Sequence, residues 1–112
     1  MTTKLRNFIN GEFVAPIEGQ YIENINPANG EVISLVPDSN HLDVNKAVAA
    51  AKDALAHPDW NHQFVTPRRR ADWLKKIADG IEARLEEFAQ AESRDTGTVY
   101  HVEGSDSPFL AH

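Results

Sequence analysis

The sequence contains no cysteine. That removes disulfides, thiolate metal sites and a cysteine nucleophile from anything these 112 residues do alone. No apolar run approaches the roughly 20 residues that a membrane-spanning helix needs. Positive charge is in deficit: 11 Lys and Arg against 17 Asp and Glu leave a net charge of −6. A nucleic-acid binder wants the opposite balance, so we expect no nucleic-acid partner and no membrane partner. No apolar h-region follows Met1-Thr-Thr-Lys-Leu-Arg, so no secretory signal is read and a cytoplasmic location is expected. Neither GxGxxG, GxxxxGK nor GxSxG occurs, which leaves no phosphate loop and no nucleophile elbow.

What is present is a long stretch of helical periodicity from Thr66 to about Arg94. Thr66 is a good N-cap, and Pro67 suits the first helical position. Leu74, Ile77, Ala78, Ile81, Leu85, Phe88 and Ala89 recur at spacings of three and four, which makes one apolar face. Gly97 is a fitting stop. A second helix is expected over about 41–56. Ser39 or Asn40 would cap it, Asp43 would add charge to its first turn, and Pro58 would end it. Trp60, in the connector, is expected to pack between the two helices.

Before these helices the chain reads as short strands between about residues 7 and 36. Asn10-Gly11 tolerates the positive φ values of a type I′ turn between Phe8-Ile9 and Phe13-Val14. Tyr21–Ile25 and Glu31–Val36 flank the turn chemistry of Asn26-Pro27-Ala28-Asn29-Gly30. Strands followed by helices give an α+β fold. Residues 1–97 form the organised segment, and 98–112 read as a tail without a clear period.

The polar candidates carry no chemistry on spacing alone. His41, His57, His62, His101 and His112 do not cluster as metal ligands do. Arg68-Arg69-Arg70 lies where a helix dipole disfavours cations, and a solvated face is the better reading. Glu82, Glu86, Glu87 and Glu92 read as solubilising charge.

The order of several motifs is nevertheless informative. Asn7-Phe-Ile-Asn-Gly-Glu-Phe-Val, Asn24-Ile-Asn-Pro-Ala-Asn-Gly-Glu-Val-Ile and Asp43-Val-Asn-Lys-Ala-Val-Ala-Ala-Ala-Lys come first. Trp60, Pro67-Arg-Arg-Arg-Ala, Ile77-Ala-Asp and Glu92-Ser-Arg-Asp-Thr-Gly follow. From Asn7 to Gly97 this resembles the amino-terminal region of the NAD(P)-dependent aldehyde dehydrogenases. The stretch 87–97 looks most like the branch acting on muconic semialdehydes.

The resemblance implies a much longer subunit with a Rossmann-like cofactor domain, a catalytic domain and an oligomerisation flap, this segment belonging to the cofactor domain. It implies NAD or NADP as cofactor of the full-length enzyme, with none bound by this chain alone. A cysteine thiolate would attack the aldehyde and later leave from a thioester. That cysteine, the general base and the cofactor glycines have no match here, so no catalytic and no cofactor-binding residue is assigned. A structural monovalent cation carries over to Asn24, Ile25 and Asp95, part of whose shell would come from residues outside this segment. After Gly97 the pattern departs from the family, with Thr98-Val99 in place of Lys-Pro.

The expected function is therefore the amino-terminal segment of an aldehyde dehydrogenase, without turnover of its own. The alternative is a non-catalytic interaction module that docks on a full-length homologue. Either way, the stripe Leu74, Ile77, Ile81, Leu85 and Phe88 faces self-association or docking on a homologous subunit. Leaving such side chains in water forfeits about 1.5–3 kcal/mol each. The isolated chain should melt broadly as a marginal monomer or self-associate; a monodisperse monomer with a sharp cooperative melt would contradict this.

Overall fold

A computed structural model describes residues 2–61 and 65–99. Its elements run β1 (Thr3–Lys4), β2 (Asn7–Ile9), β3 (Glu12–Val14), β4 (Tyr21–Ile25), β5 (Val32–Pro37), α1 (His41–Ala56), α2 (Pro67–Ala83) and α3 (Leu85–Thr96). The α+β order read from the sequence holds.

Two small sheets form. β2 and β3 pair antiparallel, Phe8 opposite Phe13, around Asn10 at φ 54° and Gly11 at φ 79°. Both turn residues are left-handed, which matches the twist of a tight hairpin. The second sheet has the order β1-β5-β4, with β4 antiparallel and β1 parallel to β5. The turn between β4 and β5 is closed by its asparagines. The Asn26 side-chain oxygen accepts from Ala28 N at 2.9 Å, and its backbone carbonyl accepts from Gly30 N at 2.8 Å.

β1 is absent from the expected strands, which began near residue 7. Two residues carry no period, and the pairing is supplied from outside by Ser34 and Leu35 of β5. Lys4 Nζ also lies 4.1 Å from the centre of the Tyr21 ring, a cation–π contact that ties β1 across to β4.

α1 starts where its capping chemistry says. Asn40 Oδ1 accepts from Leu42 N at 2.9 Å, while Asp43 Oδ2 accepts from Asn40 N at 3.1 Å. Asp43 does more than place charge in the first turn. It is 4% exposed, and its other oxygen accepts from Ile17 N at 2.9 Å. One carboxylate thus closes the helix start and holds the 15–20 loop against it.

The long helix is two helices, which corrects the single element expected over 66–94. Thr66 caps α2 by accepting from Arg69 N at 3.3 Å, with Pro67 behind it. The break falls at Arg84, at φ −118° and ψ 26°. Arg84 N donates to Ile81 O at 3.0 Å, tightening the last turn, and Phe88 N donates to Arg84 O at 3.1 Å, opening the next. Neither proline nor glycine marks the spot. On either side of the break the stretch is tied to different places: Trp73 of α2 stacks on Trp60, and the end of α3 meets β4 and the 26–30 turn. A bend reconciles the two. The Arg84 guanidinium bridges it with two hydrogen bonds to Glu87, at 2.8 and 2.6 Å. Those bonds, and the attached positive charge, hold the Glu87 carboxyl below its ordinary range.

The stacking of Trp60 on Trp73, 5.5 Å between ring centres, places Trp60 between the end of α1 and the start of α2 as expected. Burial is otherwise sparse. Among the described residues the buried apolar side chains are Ile9, Val65 and Ala89, and α2 buries none. The Cα radius of gyration is 17.8 Å, against about 13 Å for a compact chain of this size. With extents of 51 × 42 × 20 Å, the molecule is a slab. The expected tail, 98–112, lies outside the described residues beyond Val99.

Asp43→Ala should lower stability by about 1–3 kcal/mol, because it leaves two amides without their acceptor. Urea denaturation would read the loss. Faster hydrogen exchange at Ile17 N should accompany it, and a loss no larger than that of Asp53→Ala on the exposed side of α1 would refute the clamp.

Candidate functional site

The residues assigned to a cation, Asn24, Ile25 and Asp95, lie where β4 meets the end of α3. Asn24 is opposite Ser34 in the register of β4 and β5. Its amide nitrogen donates to Ser34 Oγ at 3.3 Å and to Asp95 Oδ1 at 3.0 Å. Ser34 is buried beneath this pair. Ile25 follows Asn24 at a register shift of β4 and is half exposed.

Gly97 fixes this junction. It caps α3 at φ 74°, donating its N–H to Ser93 O at 2.8 Å. A Cβ there would stand 3.2 Å from Pro27 Cγ, so glycine serves both the left-handed cap and the close approach of the 26–30 turn. Beside it lies an open hollow of about 350 Å³ lined by Asn26, Ala28, Gln90, Ser93, Arg94 and Gly97.

Asn24 and Asp95, 71 residues apart, are brought together, and they are bonded to one another. The Asn24 side chain donates to the carboxylate, whereas the cation that the resemblance implies would be held by backbone carbonyl oxygen beside Asn24 and Ile25 together with Asp95. Among the described residues no three His, Cys, Asp or Glu converge. The junction is a hydrogen-bonded tie, and a cation beside it would take the Asp95 carboxylate, backbone carbonyl oxygen and further hard oxygens from outside this segment.

Nor do the described helix starts fit a dinucleotide phosphate. The start of α1 is filled by its own capping box and the Asp43 carboxylate, which repels an anion. At the start of α2 Thr66 occupies the cap and Pro67 removes a donor. The Arg68–Arg70 run is used locally: Arg69 lies 5.7 Å from the Trp73 ring centre and Arg70 donates to Val65 O at 3.4 Å. α3 follows α2 directly through Arg84.

The other candidates behave as surface groups. His57 accepts from Asp59 N at 3.2 Å, and His41 opens α1. His62, His101 and His112 lie outside the described residues. Glu87 pairs with Arg84, and Glu86 accepts from Gln90 at 2.7 Å. No pair of these carboxylates forms an acid–base couple.

Spacing did not reveal the aromatic hollow between α1 and α2. Asn10, Ala54, His57, Trp60 and Trp73 line about 450 Å³ there. The signal for it was two tryptophans flanking a helix start. It is open and mainly apolar, with Asp53, His57 and Asp59 also in its lining and His57 Nδ1 3.5 Å from the Asp59 carboxylate.

Comparison with known proteins assigns this architecture. The aldehyde dehydrogenase family model matches residues 13–108. A 2-hydroxymuconic semialdehyde dehydrogenase of Pseudomonas sp. is 45% identical over 94 residues, 84% of this chain and 19% of that protein. A 2-aminomuconic semialdehyde dehydrogenase of Danio rerio is 46% identical over 109 residues, 96% of this chain and 21% of that protein. The crystal structure of an NAD-dependent aldehyde dehydrogenase from Sinorhizobium meliloti superposes with a TM-score of 0.80 at 32% identity, covering 88% of this chain and 19% of that one. The chain therefore spans about a fifth of the length of these relatives. A family match over most of its residues, on a backbone shared with a solved enzyme, places this chain in the aldehyde dehydrogenase family.

Proposed function

We infer that this chain is a scaffold segment of an NAD(P)-dependent aldehyde dehydrogenase whose complete subunit oxidises an aldehyde to a carboxylic acid. The observation that carries the reading is the family match over residues 13–108 in a sequence without cysteine. The family's thiol chemistry then has to come from residues beyond this fifth of the relatives' length. What the 112 residues supply is shape: two small sheets and three helices, closed by caps and polar ties, with their apolar faces open.

The substrate class that fits best is a muconic semialdehyde. Two relatives above 40% identity carry that activity in their names, one from a bacterium and one from a fish. For the cofactor, NAD is supported by the solved relatives named for it. The residues described here do not fit its phosphates, so the cofactor would be held elsewhere in the subunit. Asn24, Ile25 and Asp95 would contribute to a monovalent-cation shell completed by that same remainder.

Two assays test this. The chain alone should give no reduced cofactor from NAD and a muconic semialdehyde, and no calorimetric signal on titration with NAD. A chimera of the Pseudomonas enzyme carrying residues 13–97 of this chain at the matching positions should keep most of its kcat. Turnover by the chain alone, or a folded chimera without activity, would overturn the scaffold reading.

A further inference from the structure

Two asparagine–glycine pairs lie in turns of this chain, Asn10-Gly11 and Asn29-Gly30, and their surroundings differ. This dipeptide carries chemistry of its own. The glycine nitrogen can attack the side-chain carbonyl carbon of the asparagine, and glycine lacks the Cβ that would crowd the approach. The attack needs a free nitrogen, a free side-chain amide and a backbone able to rotate at the asparagine.

Asn29-Gly30 meets none of these conditions. Asn29 Oδ1 accepts from Glu31 N at 3.0 Å, and its Nδ2 donates to Glu31 Oε2 at 3.1 Å. Gly30 N donates to Asn26 O at 2.8 Å. Asn26 N in turn donates to Glu31 O at 2.8 Å, and Pro27 of the same turn lies close against Gly97. Those bonds fasten both the attacking and the attacked groups.

Asn10-Gly11 is loose by comparison. Both residues are exposed, and among the described residues nothing bonds the Asn10 side chain or accepts from Gly11 N. Ring closure requires Asn10 to leave the left-handed backbone of the closed turn, at φ 54°. What resists this is the pairing of β2 and β3, two strands of 3 residues each that pair only with one another. A lone two-stranded hairpin is marginal in water, and opening it locally costs little. Among its strand residues Ile9 is the buried one, while Phe8 and Phe13 stay 65% and 68% exposed.

We propose that Asn10 is a site of spontaneous covalent modification, deamidation through a succinimide, and that Asn29 in the same dipeptide is protected. The Gly11 nitrogen bonds to Asn10 Cγ and gives up its proton. The bond from Cγ to the side-chain nitrogen breaks, and ammonia leaves with that proton. Water then adds to one of the two imide carbonyls. The ring opens to aspartate or to isoaspartate, with no change of oxidation state. Both products alter the hairpin. Isoaspartate routes the main chain through Cβ, and a two-residue turn cannot absorb the added atom and keep Phe8 opposite Phe13. Either product adds negative charge to a hollow that Asp53 and Asp59 already line.

The test incubates the 112-residue chain at mildly alkaline pH in heavy-oxygen water, which marks each ring opening. A protease that cuts after glutamate separates the two sites at Glu12 and Glu23, and mass spectrometry reads the label in each peptide. Label should enter the Asn10 peptide about tenfold or more faster than the Asn29 peptide. In urea, with both turns open, the two rates should converge. Phe13→Ala removes one ring of the stacked pair and should speed Asn10 alone; Glu31→Ala should speed Asn29 alone. Equal rates in the folded chain overturn the proposal, as does a faster Asn29 or an Asn10 rate indifferent to Phe13→Ala.

Discussion

The rest of the structure depends on one burial constraint: among the described residues, most large apolar side chains lie on faces with little packed opposite them. A 20 Å extent would admit two layers about 10 Å apart, yet among the described residues few apolar side chains are buried between them. Folded domains need two packed layers around a core. Here Ile9, Val65 and Ala89 are the buried apolar residues, whereas Leu74, Ile77, Phe8 and Phe13 stand in water. At about 1.5–3 kcal/mol per large side chain, a few such residues match the net stability of a small domain. The architecture therefore makes energetic sense as part of something larger.

Within that part, polar ties fix the shape. Asp43 joins the start of α1 to the 15–20 loop, Asn24 joins β4 to the end of α3, and Arg84 with Glu87 spans the bend between α2 and α3. The hydrogen bonds of Asp43 and Asn24 are worth about a kilocalorie per mole each, and the solvent-exposed Arg84–Glu87 pair is screened by water. Such bonds specify geometry well and supply little net stability. The Arg84–Glu87 pair is also pH-limited. Its contribution is present while Glu87 is ionised and fades as pH falls through the lowered carboxyl pKa.

Local chemistry was legible in the sequence to the residue. Asn10-Gly11, Thr66-Pro67 and Gly97 each satisfy a backbone demand of their own immediate neighbours and sit where that demand predicts, and of the two cap candidates Ser39 and Asn40 the cap of α1 is Asn40. What escaped depends on distant partners. β1 exists because β5 offers it an edge. The break at Arg84 falls between good helix formers, in a stretch whose two ends are tied to different places. The meeting of Asn24 and Asp95 across 71 residues was reached by family resemblance alone, since no spacing rule spans that distance. The resemblance named these two residues together without revealing the form of their contact, a hydrogen-bonded tie closed beneath by Ser34 and beside by Gly97.

That tie bears on how an enzyme can be divided between scaffold and chemistry. Catalytic groups need placement within fractions of an ångström, which rigid surroundings supply. A segment without a nucleophile and without a phosphate loop serves such a site by presenting a preformed surface. For that purpose polar ties suit well, because their directionality sets the angle between sheet and helices. Docking costs less conformational entropy than it would from an unstructured chain. The faces that make the slab unstable alone are thus the faces that would make its attachment specific.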